Sequence, residues 1–157
     1  MGIILSSKEC EAWCRRLQDE NRTVVFTNGC FDLLHPGHVR LLERARSYGN
    51  ALLVAINSDR SVSLLKGPNR PIQPQQHRAT VVASLEAVDA VTIFDDDTPR
   101  SLLERMLPNV LVKGADWSHN IVGRDIIEQA GGRVFALPFE KGYSTTDILR
   151  VILERTP

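Results

Sequence analysis

The stretch Ala51-Leu52-Leu53-Val54-Ala55-Ile56 is apolar at every position. A strand with one face in water alternates polar and apolar residues, so an unbroken run of this length marks a strand covered on both sides. The same signature appears in Thr23-Val24-Val25-Phe26-Thr27, in Ala90–Phe94, in Asn109–Lys113 and in Arg133–Phe139. Helical marks fill the intervals. Pro36 suits a first helical turn, Leu41, Leu42, Ala45 and Tyr48 share one face, and Gly49 stands where a helix ends. Further helices are predicted over Gln75–Val88, Pro99–Met106, Ile121–Ala130 with Gly131-Gly132 behind it, and Thr145–Glu154. Ser6 followed by Glu9, with Ala12, Trp13 and Leu17 behind them, predicts an opening helix within residues 1–22. Gly67, Pro68, Pro71 and Pro74 make Asp59–Pro74 read as a long flexible segment.

Parallel neighbours need helical crossovers, so the alternation predicts an α/β class: a Rossmann-like, doubly wound, mostly parallel five-stranded sheet with helices on both faces. At 157 residues the chain is expected to form one domain over 1–157, residues 1–22 being the N-terminal helix and 23–157 the catalytic α/β core. Nineteen Lys plus Arg balance nineteen Asp plus Glu, which gives no compositional case for a nucleic acid or an anionic membrane as partner. The longest apolar run falls far short of the about 18 residues of a spanning helix, and no apolar leader follows the start, so a cytoplasmic protein is expected. Three cysteines without a C-x-x-C pair read as reduced thiols and not as a disulfide or zinc framework.

Ligands of such sheets sit beyond the carboxyl ends of the strands. No G-x-G-x-x-G follows the first strand, and Gly-Lys never occurs, which excludes the usual dinucleotide and P-loop signatures. The first strand instead runs into Thr27-Asn28-Gly29-Cys30-Phe31-Asp32-Leu33-Leu34-His35-Pro36-Gly37-His38. Two imidazoles three residues apart at a helix start can project to one side, above free amides and a dipole that favour an anion. Gly37 between them leaves the backbone open to a phosphate. Metal chelation would need a third ligand that the spacing does not supply, so a phosphate clamp is expected and no protein-held metal.

H-P-G-H behind a β-branched strand resembles the H-x-G-H signature of the nucleotidyltransferase superfamily, and Gly142-Tyr143-Ser144-Thr145-Thr146-Asp147 resembles its second, Ser-Thr-rich signature. Asn57-Ser58-Asp59, Lys66-Gly67 with Arg70-Pro71, Leu85–Asp89 and Val112-Lys113-Gly114 make the chain most similar to the heptose 1-phosphate adenylyltransferases. Those enzymes occur alone or fused to a sugar kinase domain. Cytidylyltransferases acting on alcohol phosphates such as glycerol 3-phosphate are the competing branch; their second signature opens R-T-x-G, where this chain has Phe139-Glu140-Lys141-Gly142.

The resemblance implies transfer of AMP from ATP to a sugar 1-phosphate in one in-line step, with Mg²⁺ arriving on ATP, a homodimeric assembly and a separate sugar kinase as functional neighbour. It implies His35 and His38 as catalytic groups that steady the triphosphate, with Lys66 as a mobile cation beside them. Thr27, Asn28, Gly29, Cys30, Phe31 and Gly37 would line the nucleotide, as would Lys113 and Gly114 at another strand end. Ser144, Thr145 and Thr146 open the last helix, where they serve as caps, as ligands of the outer phosphates, or both. Arg70 would grip the sugar phosphate. Arg78 either does the same or pairs with a carboxylate, and Asp32 meets either a sugar hydroxyl or a backbone amide. Asp116 is assigned to the substrate; Trp117 either stacks on a base or packs. Asp95-Asp96-Asp97 precede a helix and are explained by capping.

Overall fold

The computed structural model describes residues 1–114 and 120–156. Seven helices and six strands occur among them. In chain order these are β1 (Ile3–Leu5), α1 (Ser7–Asp19), β2 (Val24–Gly29), α2 (Pro36–Arg46), β3 (Ala51–Asn57), α3 (Asp59–Lys66) and α4 (Gln75–Ala83). There follow β4 (Ala90–Phe94), α5 (Arg100–Met106), β5 (Val110–Gly114), α6 (Arg124–Gln129), β6 (Arg133–Leu137) and α7 (Thr145–Arg155). The strands form one sheet in the order β1-β4-β3-β2-β5-β6, and every pairing is parallel.

The apolar runs become two cores because successive side chains leave a strand on opposite faces. Val24, Phe26, Leu53 and Ala55 join Trp13, Leu17, Leu102, Leu103 and Ile127 on the face covered by α1, α5 and α6. Val25, Leu52, Val54 and Ile56 join Leu42, Ala45, Ala79 and Val82 on the face covered by α2 and α4. The chain winds from β2 through β3 to β4, then returns across the sheet to β5, so strand order reverses between β2 and β5. That reversal opens a crevice at the carboxyl ends of these two strands.

Three expectations need correction. The sheet has six strands and not five: Ile3–Leu5 pairs with Ala90–Thr92 at the edge, a segment too short to show a period. Asp59–Lys66, expected to be flexible, is a helix whose N-cap Ser58 accepts a hydrogen bond from the Ser61 amide at 3.1 Å. Its prolines all lie beyond Gly67, which closes the helix at φ 101°. The helices expected over Gln75–Val88 and Ile121–Ala130 are shorter, at Gln75–Ala83 and Arg124–Gln129. Among the described residues no helix is long and apolar enough to cross a membrane.

Candidate active site

A cavity of about 810 Å³ fills the crevice, within the range of about 300–1,000 Å³ for small-molecule sites. His35 and His38 both line it. His35 is the N-cap of α2 and Pro36 fixes the first helical turn, so the helix start dictates where the two rings leave the backbone. They stack with centroids 3.8 Å apart and planes inclined by 26°. A Cβ on Gly37 would sit 3.1 Å from His35 Cε1 and Nδ1, which explains why the residue between the histidines has no side chain.

The backbone N–H of His35 donates to His38 Nδ1 at 3.4 Å, so a neutral His38 carries its proton on Nε2. Burial, with His35 beside it, pushes the His38 imidazole down to about 4, and burial lowers His35 as well. Two imidazolium rings 3.8 Å apart would repel by about 4 kcal/mol at an effective dielectric of roughly 20. Without a ligand the pair is therefore uncharged at neutral pH and not a dication.

Positive charge comes from other elements. Lys113, at the end of β5, is largely buried and donates to Asn28 Oδ1 at 3.1 Å and Asn28 O at 3.4 Å; burial lowers its pKa. Those partners are neutral, so its charge is left for an anionic ligand. Lys66 closes α3 and Arg70 follows it, both lining the cavity. The Cys30 thiol is raised by burial and stays protonated, which removes it as a nucleophile.

The acids near the cavity are mostly engaged. Asp32 is buried and accepts from Arg70 Nε at 2.7 Å and from the amides of Ile72 and Gln73, each at 2.9 Å. Its carboxylate is held below the ordinary range by these donors against a desolvation that raises it. Of the two roles expected for Asp32, the amide contact is the one seen, and it aims Arg70 at the cavity. Arg78 does not line the cavity. Its guanidinium is 1% exposed and donates to Gln73 O at 3.0 Å, Asn57 O at 2.8 Å, Asp59 Oδ1 at 2.9 Å and Cys30 O. The expectation that it binds substrate gives way to a brace behind the wall, because protein acceptors already take four of its five N–H donors.

Asn28, Gly29, Cys30, Phe31, Gly114 and Thr146 line the same cavity, whereas Thr27 is fully buried in β2 away from it. Ser144 caps α7, accepting from the Asp147 amide at 3.0 Å. Thr145 Oγ1 donates to Leu33 O at 3.1 Å and so ties α7 to the loop before α2. Both hydroxyls thus have structural partners while lining the cavity with Thr146, and the first turn of α7 adds its amides as a site for an anion. Asp116, Trp117 and His119 lie outside the described residues. Sequence reasoning gave no role in the site to Asn57, Asp97, Phe139, Glu140 or Tyr143, which also line the cavity. The Arg40–Glu140 pair joins α2 to the loop before α7. Asn57 at the end of β3, together with Phe139, Glu140 and Tyr143, stood in motif segments of the sequence, which hinted at their place; Asp97 carried no such signal.

The cytidylyltransferase-like family model matches residues 26–151. The chain belongs to the cytidylyltransferase-like family. It is a nucleotidyltransferase, and the matched span runs from β2 into α7, enclosing both ends of the cavity. It is 49% identical over 135 residues to the bifunctional protein HldE of Syntrophotalea carbinolica, covering 85% of this chain and 28% of that one. It is 56% identical over 130 residues to HldE of Hahella chejuensis, covering 82% and 27%. The chain thus spans little more than a quarter of the length of these relatives. Among solved structures, a lipopolysaccharide core biosynthesis protein of Thermoplasma volcanium matches with TM-score 0.61 at 22% identity, covering 78% of this chain and 99% of that one. A pantoate-beta-alanine ligase of Francisella tularensis matches with TM-score 0.64 at 17% identity, covering 96% and 77%. Both likenesses concern the fold of the family.

Proposed function

We propose that the domain transfers AMP from ATP to D-glycero-beta-D-manno-heptose 1-phosphate, giving ADP-heptose and pyrophosphate. An oxygen of the sugar phosphate attacks the α-phosphorus in line, and the bond to the pyrophosphate oxygen breaks in the same step, so no covalent enzyme intermediate forms. The observation that carries this reading is the stacked, uncharged pair His35 and His38 at a helix start, in a cavity that also holds Lys66, Arg70 and Lys113. Such an array stabilises charge on a transferring phosphorus and a leaving pyrophosphate, and it contains no activated nucleophile.

Within this reading His35 and His38 Nε2 donate to phosphate oxygens, Lys113 and the first turns of α2 and α7 hold the triphosphate, and Arg70, aimed by Asp32, grips the sugar phosphate. Lys66 follows the charge as it moves to the leaving group. Mg²⁺ enters with ATP and neutralises phosphate charge. The donor set fits that route, since the lining is rich in cations and Asp97 is the lining carboxylate that, among the described residues, makes no hydrogen bond. Asp97 is the residue that would meet the ion.

The heptose assignment rests on the motifs Asn57-Ser58-Asp59, Lys66-Gly67, Arg70-Pro71 and Val112-Lys113-Gly114, which resemble heptose 1-phosphate adenylyltransferases. The position that carries arginine in the alcohol-phosphate cytidylyltransferases is Phe139 here, and its ring packs over Gly114, whose Cβ would lie 2.9 Å from Phe139 Cε1. That supports ATP over CTP. The bifunctional designation of the relatives supports a sugar kinase that supplies the 1-phosphate, and the superfamily resemblance supports a homodimer in the cytoplasm.

A matrix of ATP, CTP, GTP and UTP against heptose, glycerol and ethanolamine phosphates, read by pyrophosphate release, tests the reading. Release with ATP, Mg²⁺ and the heptose phosphate together is expected. Preference for CTP with an alcohol phosphate would replace the reading, and binding of ATP without turnover on any acceptor would defeat it.

A further inference from the structure

Of the two imidazoles, His38 is fixed by a hydrogen bond and His35 is not. His38 Nδ1 accepts the His35 amide, whereas His35 Nδ1 is buried without a hydrogen-bond partner. The His38 amide approaches the His35 side chain across the helix start but spends its hydrogen bond on His35 O at 2.9 Å, so the faces of the His35 ring carry most of what sets its rotation. One face stacks on His38. Tyr143 stacks beside the His35 ring as well, its ring centroid 6.2 Å away and its plane inclined by 15°.

Tyr143 is itself braced. Arg40 Cζ stands 5.6 Å from the centre of its ring, within reach of a cation–π contact, and Arg40 pairs with Glu140 on the same loop. At the far end His38 leans on Phe31 with centroids 5.3 Å apart, and Phe31 is 4% exposed within the core. Arg40, Tyr143, His35, His38 and Phe31 thus form one column from the cavity rim to the core. Gly37 makes room for it: a Cβ there would lie 3.1 Å from the His35 ring and 3.4 Å from Tyr143 Cβ.

We propose that Tyr143 is a positioning residue, pressed against His35 by Arg40 and Glu140, and that this contact holds the unbonded His35 ring in register with His38 for the transfer. The proposal rests on the assignment of the pair to phosphate binding made above. It goes beyond that assignment by naming what sets the geometry of His35. Arg40 also meets the Tyr143 phenol oxygen, but the proposed contact with His35 uses the ring face. Tyr143 lines the cavity, and as a positioning residue its loss is expected to leave nucleotide affinity in place while the transfer slows. Misplacing a catalytic group by about 1 Å costs up to roughly 100-fold, and a loss of about tenfold or more in kcat is expected here.

The test compares Tyr143→Leu, Tyr143→Phe and Arg40→Met in the full chain. Tyr143 is 39% exposed, so the leucine variant should fold, and a thermal melt checks this. In the ligand-free protein, NMR of the imidazole protons should show His35 losing its upfield ring-current shift in Tyr143→Leu and keeping it in Tyr143→Phe. Kinetics, with whichever substrate pair the wild type turns over, should show kcat reduced about tenfold or more in Tyr143→Leu at an unchanged KM for the nucleotide, restored by Tyr143→Phe and partly reduced in Arg40→Met. An unchanged His35 spectrum in Tyr143→Leu overturns the proposal. So does a rise in nucleotide KM at constant kcat, which would make Tyr143 a ligand contact. Absence of turnover in the wild type would count against the proposed reaction alone, since the NMR comparison still decides the stacking.

Discussion

Replacing Arg78 with methionine separates a brace from a ligand contact. The substitution keeps the apolar stem inside the protein and removes every donor of a guanidinium whose side chain is 0% exposed. The carbonyls of Cys30, Asn57 and Gln73 lose a partner, as does Asp59. These groups belong to the loop after β2, the end of β3, the segment before α4 and the start of α3, so one side chain of α4 ties together the walls around the catalytic loop. A buried acceptor left unsatisfied costs about 1–3 kcal/mol. Asp59 is 44% exposed at its side chain and recovers water, so the three carbonyls set a floor of about 3 kcal/mol, and a loss of about 3–5 kcal/mol is expected, the scale for breaking a buried charged network. For a domain of this size that lowers the melting temperature by roughly 10 °C. Arg78→Lys should recover little, because one ammonium cannot span acceptors arranged for a planar fork. Urea unfolding of the wild type and both variants gives the number. A stability within about 1 kcal/mol of wild type together with a raised KM for the phosphate acceptor would refute the reasoning and return Arg78 to the substrate.

Three further outcomes are expected. Since His38 is held at about 4 against an ordinary 6.5, its neutral form contributes stability in full above pH 6.5, and this is lost as the pH falls toward 4. Unfolding free energy should be level from pH 6.5 to 8 and fall from about 6.5 toward 4, and the transfer rate should hold until the pH nears 4, whereas a rate that rises on acidification through 6 would mean an imidazolium is the working form. Asp32→Asn should cost about 3 kcal/mol and raise KM for the acceptor phosphate more than for ATP, because Arg70 loses its anchor at 2.7 Å; equal changes in the two KM values would count against that placement. Gly114→Ala puts a Cβ 2.9 Å from Phe139 Cε1, and because Phe139 is 58% exposed its ring can swing aside. Stability should fall by less than about 1 kcal/mol while nucleotide affinity drops, and a large loss of stability at constant affinity would show that the ring packs without touching the base.

The sheet was legible because burial on both faces writes unbroken apolar runs, and all five predicted strands occur. β1 was not, since three residues on an edge, with Ile3 47% and Ile4 51% exposed, carry neither a run nor a period. Glycine and prolines hid α3, although Ser58 and Asp59 before an amphipathic stretch are a capping signal that deserved more weight. Within the cavity, motif and spacing brought out the residues whose backbone position suffices: His35, Gly37, His38 and the turn 28–32. Arg78 was undecidable, because a loop-proximal arginine looks the same in sequence whether it meets a ligand or four carbonyls. Glu140 and Tyr143 stood in or beside the second signature, but their assembly with Arg40 was not legible, as its members come from α2 and from a loop about 100 residues later and meet only in the folded chain.

A crystal structure with a non-hydrolysable ATP analogue tests most directly whether the two stacked rings face the reacting phosphorus. The α- and β-phosphate oxygens should lie within hydrogen-bond distance of Nε2 of His35 and His38, with Lys113 and the first turn of α7 on the remaining phosphates. A triphosphate seated elsewhere, or imidazoles turned away from it with their stack intact, would contradict the central claim.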